Sequence, residues 1–84
     1  MNKRPKVERC YKIIGLRLRH ARLWRGLSQQ QAANKANKRG KRGLSRAHIA
    51  NIERGEQRIW PHQVAALAKI YGRDPAAFFD GIWS

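Results

Sequence analysis

Cysteine occurs once, at Cys10, so no internal disulfide can close, and the expected setting is a reducing, cytoplasmic one. Acidic residues number only five, against nineteen basic ones. The five are scattered and form no pair suited to general acid–base work, so no catalytic residue is assigned and the chain is not expected to be an enzyme. His20, His48 and His62 stand far from one another and from Cys10, without the ligand spacing of a zinc site. No glycine-rich phosphate loop is present. Apolar runs fall well short of a membrane span, and the basic start lacks the apolar stretch of a secretion signal. No useful period-two alternation appears, which excludes a sheet and leaves an all-α fold. Neither a metal, a cofactor nor a small-molecule ligand is expected.

What the chain does have is positive charge, and it is unevenly placed. Eighty-four residues make one small domain with a formal charge of +14. Residues 1–52 hold fifteen Lys or Arg and a single acid, Glu8, whereas residues 53–84 hold four of each sign. A merely solvated surface needs no such asymmetry; a polyanion site does.

The stretch 44–55, at the junction of the two halves, organises the reading. Ser45 is a good N-cap, because its hydroxyl can accept from a backbone N–H that the helix leaves unpaired. Ile49 and Ile52, with Leu44 before the cap, define a buried side. Gly55 supplies the left-handed residue that ends a helix without a Cβ clash. Arg46, Ala47, His48, Ala50 and Asn51 remain outward, with no acid among them. Such a face, with Arg and Asn donors beside small residues, suits base edges in a major groove.

Taken in order, residues 1–6 form a basic arm and 7–84 the domain. Val7, Tyr11, Ile14, Leu18 and Ala21 make one helical stripe, predicting helix 1 over about 6–25, ended by Gly26. A second apolar row, Ile13, Leu16 and Leu23 with Trp24 at its edge, lies nearly opposite and asks for a second partner. Ser28 and Gln31 form a capping box for helix 2, about 29–38, whose Ala32, Ala33 and Ala36 permit close approach of a neighbour. Residues 37–43 are a basic, glycine-containing connection. The central helix runs over about 46–54. Pro61 opens helix 4, about 61–71, from a weak cap at Trp60. Asp74-Pro75 is a better start for helix 5, about 75–80.

Together Ile14-Gly15, Leu18-Arg19, Arg22, Gly26-Leu27-Ser28-Gln29, Leu44-Ser45-Arg46, Ile49, Ile52-Glu53-Arg54-Gly55, Leu67-Ala68 and Tyr71-Gly72 resemble the Cro/lambda-repressor, or xenobiotic-response-element, helix-turn-helix family. The resemblance covers about residues 13–80. It implies a five-helix fold in which helices 2 and 3 form the DNA-binding pair and dimers read two half-sites. It implies base contacts from Arg46, Ala47 and Asn51, with His48 and Ala50 beside them, and a backbone or adjoining base contact from Gln29. Arg22 and Glu53 occupy positions that pair in the family. Against the family's pattern about six residues, 37–42, are inserted in the turn between helices 2 and 3, an enlarged connection. Ala36 also replaces a larger apolar residue.

The expected function is a sequence-specific double-stranded DNA regulator, a small dimeric repressor or autoregulator of phage or mobile-element type, nucleoid-associated in a bacterial cytoplasm. Its operator is expected to be palindromic, with contact to RNA polymerase as a further expectation. Backbone contacts are expected from Ser28, Gln29, Lys35, Lys38, Arg39, Lys41, Arg42 and Ser45. Residues 53–84 sum to zero charge and carry Ile70, Ile82 and Trp83. They are expected to join two copies, or to fold the tail back on helix 1. The alternative is an antitoxin-like or accessory module that grips a protein, with DNA binding secondary; a basic RNA binder is a weaker third.

Overall fold

A computed structural model of the chain describes residues 5–40 and 44–82, with side chains from Arg9 onward. The basic arm's first four residues, the side chain of Val7, Lys41, Arg42 and Trp83 lie outside the described residues. Four α-helices follow in order, α1 (Pro5–Trp24), α2 (Gln29–Lys38), α3 (Arg46–Glu53) and α4 (Pro61–Tyr71), then a 3-10 turn at Pro75–Phe78. No strand occurs among the described residues.

Each boundary has a local cause. Gly26, at φ +76°, ends α1, and Leu27 N–H reaches back to the Arg22 carbonyl at 3.1 Å. At the start of α2, Ser28 Oγ accepts from Gln31 N–H at 3.0 Å while Gln31 Oε1 accepts from Ser28 N–H at 2.8 Å. Ser45 Oγ accepts from His48 N–H at 3.2 Å to start α3. Trp60 has no capping oxygen, and only the reverse half of a capping box is made: Gln63 Oε1 accepts from Trp60 N–H at 3.1 Å.

The fifth helix expected over 75–80 is instead a single 3-10 turn. Asp74 caps it, its carboxylate accepting from Ala76 N–H at 3.0 Å. Arg17 of α1 then donates to the carbonyls of Ala77, Phe78 and Asp80, the last at 2.6 Å. Carbonyls held sideways by a guanidinium are not extended into a further α-turn, and the i→i+3 pattern remains.

Ile14 and Leu18 of α1, Ile49 and Ile52 of α3, Val64 and Leu67 of α4 and Phe78 make the core. Leu18, Ile49, Ile52, Leu67 and Val64 are fully buried, each contributing about 1.5–3 kcal/mol of apolar burial. Ala32, Ala33 and Ala36 of α2 let the neighbouring helices close in. α1 meets α3 at Gly15, where even a Cβ would stand 2.2 Å from the Ile52 carbonyl oxygen.

Ile70, expected as spare apolar surface, belongs to the core at 6% exposure, and Ile82 is half-buried against that same core. The C-terminal turn is tied to α1 through Arg17. Of the second apolar row, Ile13 is half-buried, Leu16 and Leu23 are about half exposed and Trp24 is 82% exposed.

Tyr71 carries the one buried side-chain polar atom without a partner among the described residues, its hydroxyl. Burial pushes this phenol well above its ordinary pKa, and the Glu53 carboxylate adds to the rise. A raised phenol favours the neutral folded form, so its contribution is intact below about pH 10 and declines as pH rises further. Tyr71→Phe should therefore leave stability unchanged or raise it by about 1 kcal/mol at pH 7, and flatten the loss above pH ~10. Urea titrations of both proteins at neutral and alkaline pH measure this. A clear loss at pH 7 would mean that the hydroxyl has a partner.

Candidate nucleic-acid interface

Helix α3 presents its outward side in three different states. Arg46 and Ala47 are exposed, and Arg46 makes no hydrogen bond or ion pair with the described residues. Its five donors are free for a bidentate acceptor such as a guanine edge. Asn51 is half-buried, and its Oδ1 accepts from Arg54 Nη2. That oxygen has a second lone pair and the amide nitrogen keeps its donors, so a further planar partner can still be met. Arg54 in turn donates from Nε to Glu56 Oε1 at 3.1 Å.

His48 differs. Its Nε2 lies 3.1 Å from Gln63 Nε2, so the imidazole turns toward α4 and links α3 to it. With the amide nitrogen donating, the neutral ring accepts at Nε2 and carries its proton on Nδ1. Ser45 is engaged as a cap and Ser28 likewise.

Behind this face a buried carboxylate holds three segments at once. Glu53 accepts from Arg22 Nε at 2.7 Å and from Arg22 Nη2 at 3.1 Å, a two-pronged pair. Gln29 Nε2 donates to the same carboxylate at 3.1 Å, and Arg22 Nη1 donates to the Leu27 carbonyl at 2.7 Å. The side chains of the pair are 8% and 4% exposed. Hydrogen bonding to Glu53 raises the already high pKa of Arg22, against the opposing effect of burial. Gln29 therefore uses one amide donor to fix α2 against α3, and its second N–H and its Oε1 make no hydrogen bond with the described residues.

An open notch of about 280 Å³ lies over this pair, lined by Arg19, Arg22, Gln29, Ala50, Glu53 and Arg54. Ala50 keeps it shallow; Arg19 and Arg54 put cations on its rim. Arg19 and Arg54 were not singled out as site residues from the sequence. The signal was there for Arg19, which falls outside the buried stripe of α1 and is exposed. Beyond α3, Arg58 lies over the half-exposed Trp60 ring at 5.5 Å, a cation–π contact in the connection to α4.

Lys35, Lys38 and Arg39 do not join this notch. With Arg25, Lys69 and Ile70 they line a separate cleft of about 380 Å³ between the ends of α1, α2 and α4. The two concavities share no residue. Among the described residues no cluster of His, Cys, Asp and Glu could hold a metal ion, and no helix is long and apolar enough to cross a membrane.

Comparison with known proteins gives the family. The sequence model of the family described as a helix-turn-helix domain matches residues 13–78. No curated protein and no solved structure matches the chain. The match spans α2, α3 and their supporting helices, so the chain belongs to the helix-turn-helix domain family, of the Cro and xenobiotic-response-element type.

Proposed function

We propose that this chain is a sequence-specific double-stranded DNA regulator, a small dimeric repressor or autoregulator of phage or mobile-element type acting on a palindromic operator. The single observation that carries the reading is α3: an outward face whose long donor, Arg46, is unpaired, on a helix locked from behind by Glu53, Arg22 and Gln29. Arg46 reads a base edge, Asn51 a second one, and Ala47 and Ala50 leave room beside them. His48 supports this face through Gln63 and reaches a base only with its free ring edge. Ser28, Gln29 and Ser45 mark helix starts whose backbone N–H groups face phosphates, and Lys41 and Arg42 supply further phosphate contacts from the enlarged connection at 37–42. Contact with RNA polymerase follows from an operator beside a promoter.

Pairing of two copies is proposed across the charge-balanced half, residues 53–84, with Ile82 and Trp83 at the seam. Two copies meeting along α1 instead would bring Lys12 and Arg19 of each beside Leu16 and Leu23, like charge against like charge. Control through its own concentration is part of this reading, in a bacterial cytoplasm and on the nucleoid.

Selection of bound duplexes from a random pool tests the reading, with light scattering for the stoichiometry, two chains per selected site being expected. On the selected duplex Arg46→Ala should cost about 1–3 kcal/mol and relax preference at one position per half-site. Equal losses on selected and random DNA would remove Arg46 from base reading. Selection of no sequence, with a stoichiometric protein partner instead, would favour the interaction-module reading.

A further inference from the structure

We infer that the cleft between α2 and α4 is a second DNA site, one that takes the phosphate backbone of another duplex segment while α3 reads the first. Arg25, Lys35, Lys38, Arg39 and Lys69 converge on it. No carboxylate lines it, and none of the five is paired with an acid of the described residues.

Helix polarity accounts for only part of this charge. Lys35 and Lys38 sit in the last turn of α2 and Lys69 in the last turn of α4, where cations are favoured. Arg25 lies beside the end of α4, its guanidinium 3.7 Å from where a Cβ on Gly72 would stand. Two helix ends offer roughly half a negative charge each, about one charge facing five cations. The remainder calls for an external anion.

The shape and chemistry of the cleft select which one. It continues through Arg39 and Lys69 into a shallow groove with His62, Ala65 and Ala66 along the outer side of α4. From His62 to Lys69 the helix rises about 10 Å, the reach of about three successive phosphates on one strand. No Phe, Tyr or Trp lines either concavity, and the one imidazole, His62, gives successive unstacked bases of a single strand no row of platforms. A duplex lines its outer edge with phosphates, the groups that clustered Lys and Arg side chains grip.

The cleft shares no residue with the notch behind α3. On α2, Lys35 and Arg39 are one turn apart on the side bordering Lys69 and Ile70, whereas Gln29 reaches Glu53 of α3.

The test uses the full chain on an immobilised duplex of about 20 bp carrying the selected sequence, to which a labelled random duplex of equal length is then offered. Capture of the second duplex is expected. The double variant Arg25→Gln, Lys69→Gln should lose about tenfold or more of that capture and about two units of its salt slope, with first-duplex affinity held within about threefold. Melting curves confirm that the variant is folded. Arg46→Ala should weaken the first binding and spare the second. A loss of capture with Arg46→Ala and none with the double variant would mean that two recognition helices of a dimer bridge the duplexes, overturning the cleft. Equal losses in both steps for the double variant would merge the cleft with the first face and likewise overturn it. Stronger competition by a single-stranded RNA of the same length would overturn the duplex assignment. The inference stands apart from the proposed operator reading: if selection yields no preferred sequence, cleft-dependent capture can still be scored with two random duplexes.

Discussion

Glu53→Gln is expected to destabilise the domain by about 3–5 kcal/mol, because it breaks one side of a buried ion pair and leaves the other side charged. Glu53 accepts three N–H bonds, two from Arg22 and one from Gln29, through both carboxylate oxygens. A glutamine offers one oxygen, and its NH₂ must then face an Arg22 donor. Domains of this size lose about 4–8 °C per kcal/mol, so the melting temperature should fall by roughly 12 °C or more. Glu56→Gln is the control: Glu56 pairs with Arg54 on the surface, both side chains more than half exposed, and such a pair is worth about 0–1 kcal/mol. The combined replacement Arg22→Met with Glu53→Leu should recover much of the loss, since no buried charge is then left unpaired. Specific duplex binding should fall with Glu53→Gln even though its carboxylate faces inward, because the carboxylate sets how α2 meets α3. Similar melting temperatures for Glu53→Gln and Glu56→Gln would show that water already reaches the pair.

Gly15→Ala is the second large expected effect, and two contributions of opposite sign decide it. Inside a helix, replacing Gly by Ala ordinarily stabilises by about 1 kcal/mol. Here the new Cβ would meet the Ile52 carbonyl oxygen at 2.2 Å and the Glu53 carbonyl oxygen at 3.0 Å. Both atoms are backbone at the end of α3, and the Ile52 carbonyl also accepts from Gly55 N–H at 3.0 Å, so neither can swing aside as a side chain would. α3 must move bodily off α1, carrying the Arg22–Glu53 pair with it. Overpacking against fixed atoms costs typically about 1–3 kcal/mol and sometimes more, which outweighs the propensity gain. Thermal melting and duplex binding should both worsen for a change of one methyl group placed away from the DNA face. A rise in melting temperature would show that the helices can separate at no cost.

Much of the architecture was legible from single residues. Ser28 with Gln31, Ser45, Gly26 and Gly55 mark helix ends by local chemistry, and local chemistry does not depend on the rest of the chain. The alternation of Ile14, Leu18 and Ala21 likewise settles which side of α1 is buried, since burial follows the helical repeat. The charge asymmetry is a property of composition, and it pointed to a polyanion before any contact was known.

Other features depend on atoms far apart in sequence. Ile70 reads as a spare apolar residue until α4 is packed, whereupon it becomes core. The last helix reads as a helix until Arg17, some sixty residues away, takes its carbonyls and leaves a 3-10 turn. His48 and Arg46 are two residues apart on one helix, yet Gln63 of α4 captures one and nothing among the described residues captures the other. Lys35 and Arg39 looked like part of a single basic surface with the connection that follows them, but helix packing turns them toward Arg25 and Lys69. Gly15 enters the sequence reading only through the family resemblance, because its role is an absence of atoms that matters only once α3 lies across it. Periodicity, caps and charge are carried by neighbours along the chain, so the sequence determined the helices and the sign of the partner. Which donors remain free, and which cations face one another, is decided by contacts between helices, and only the tertiary structure holds those.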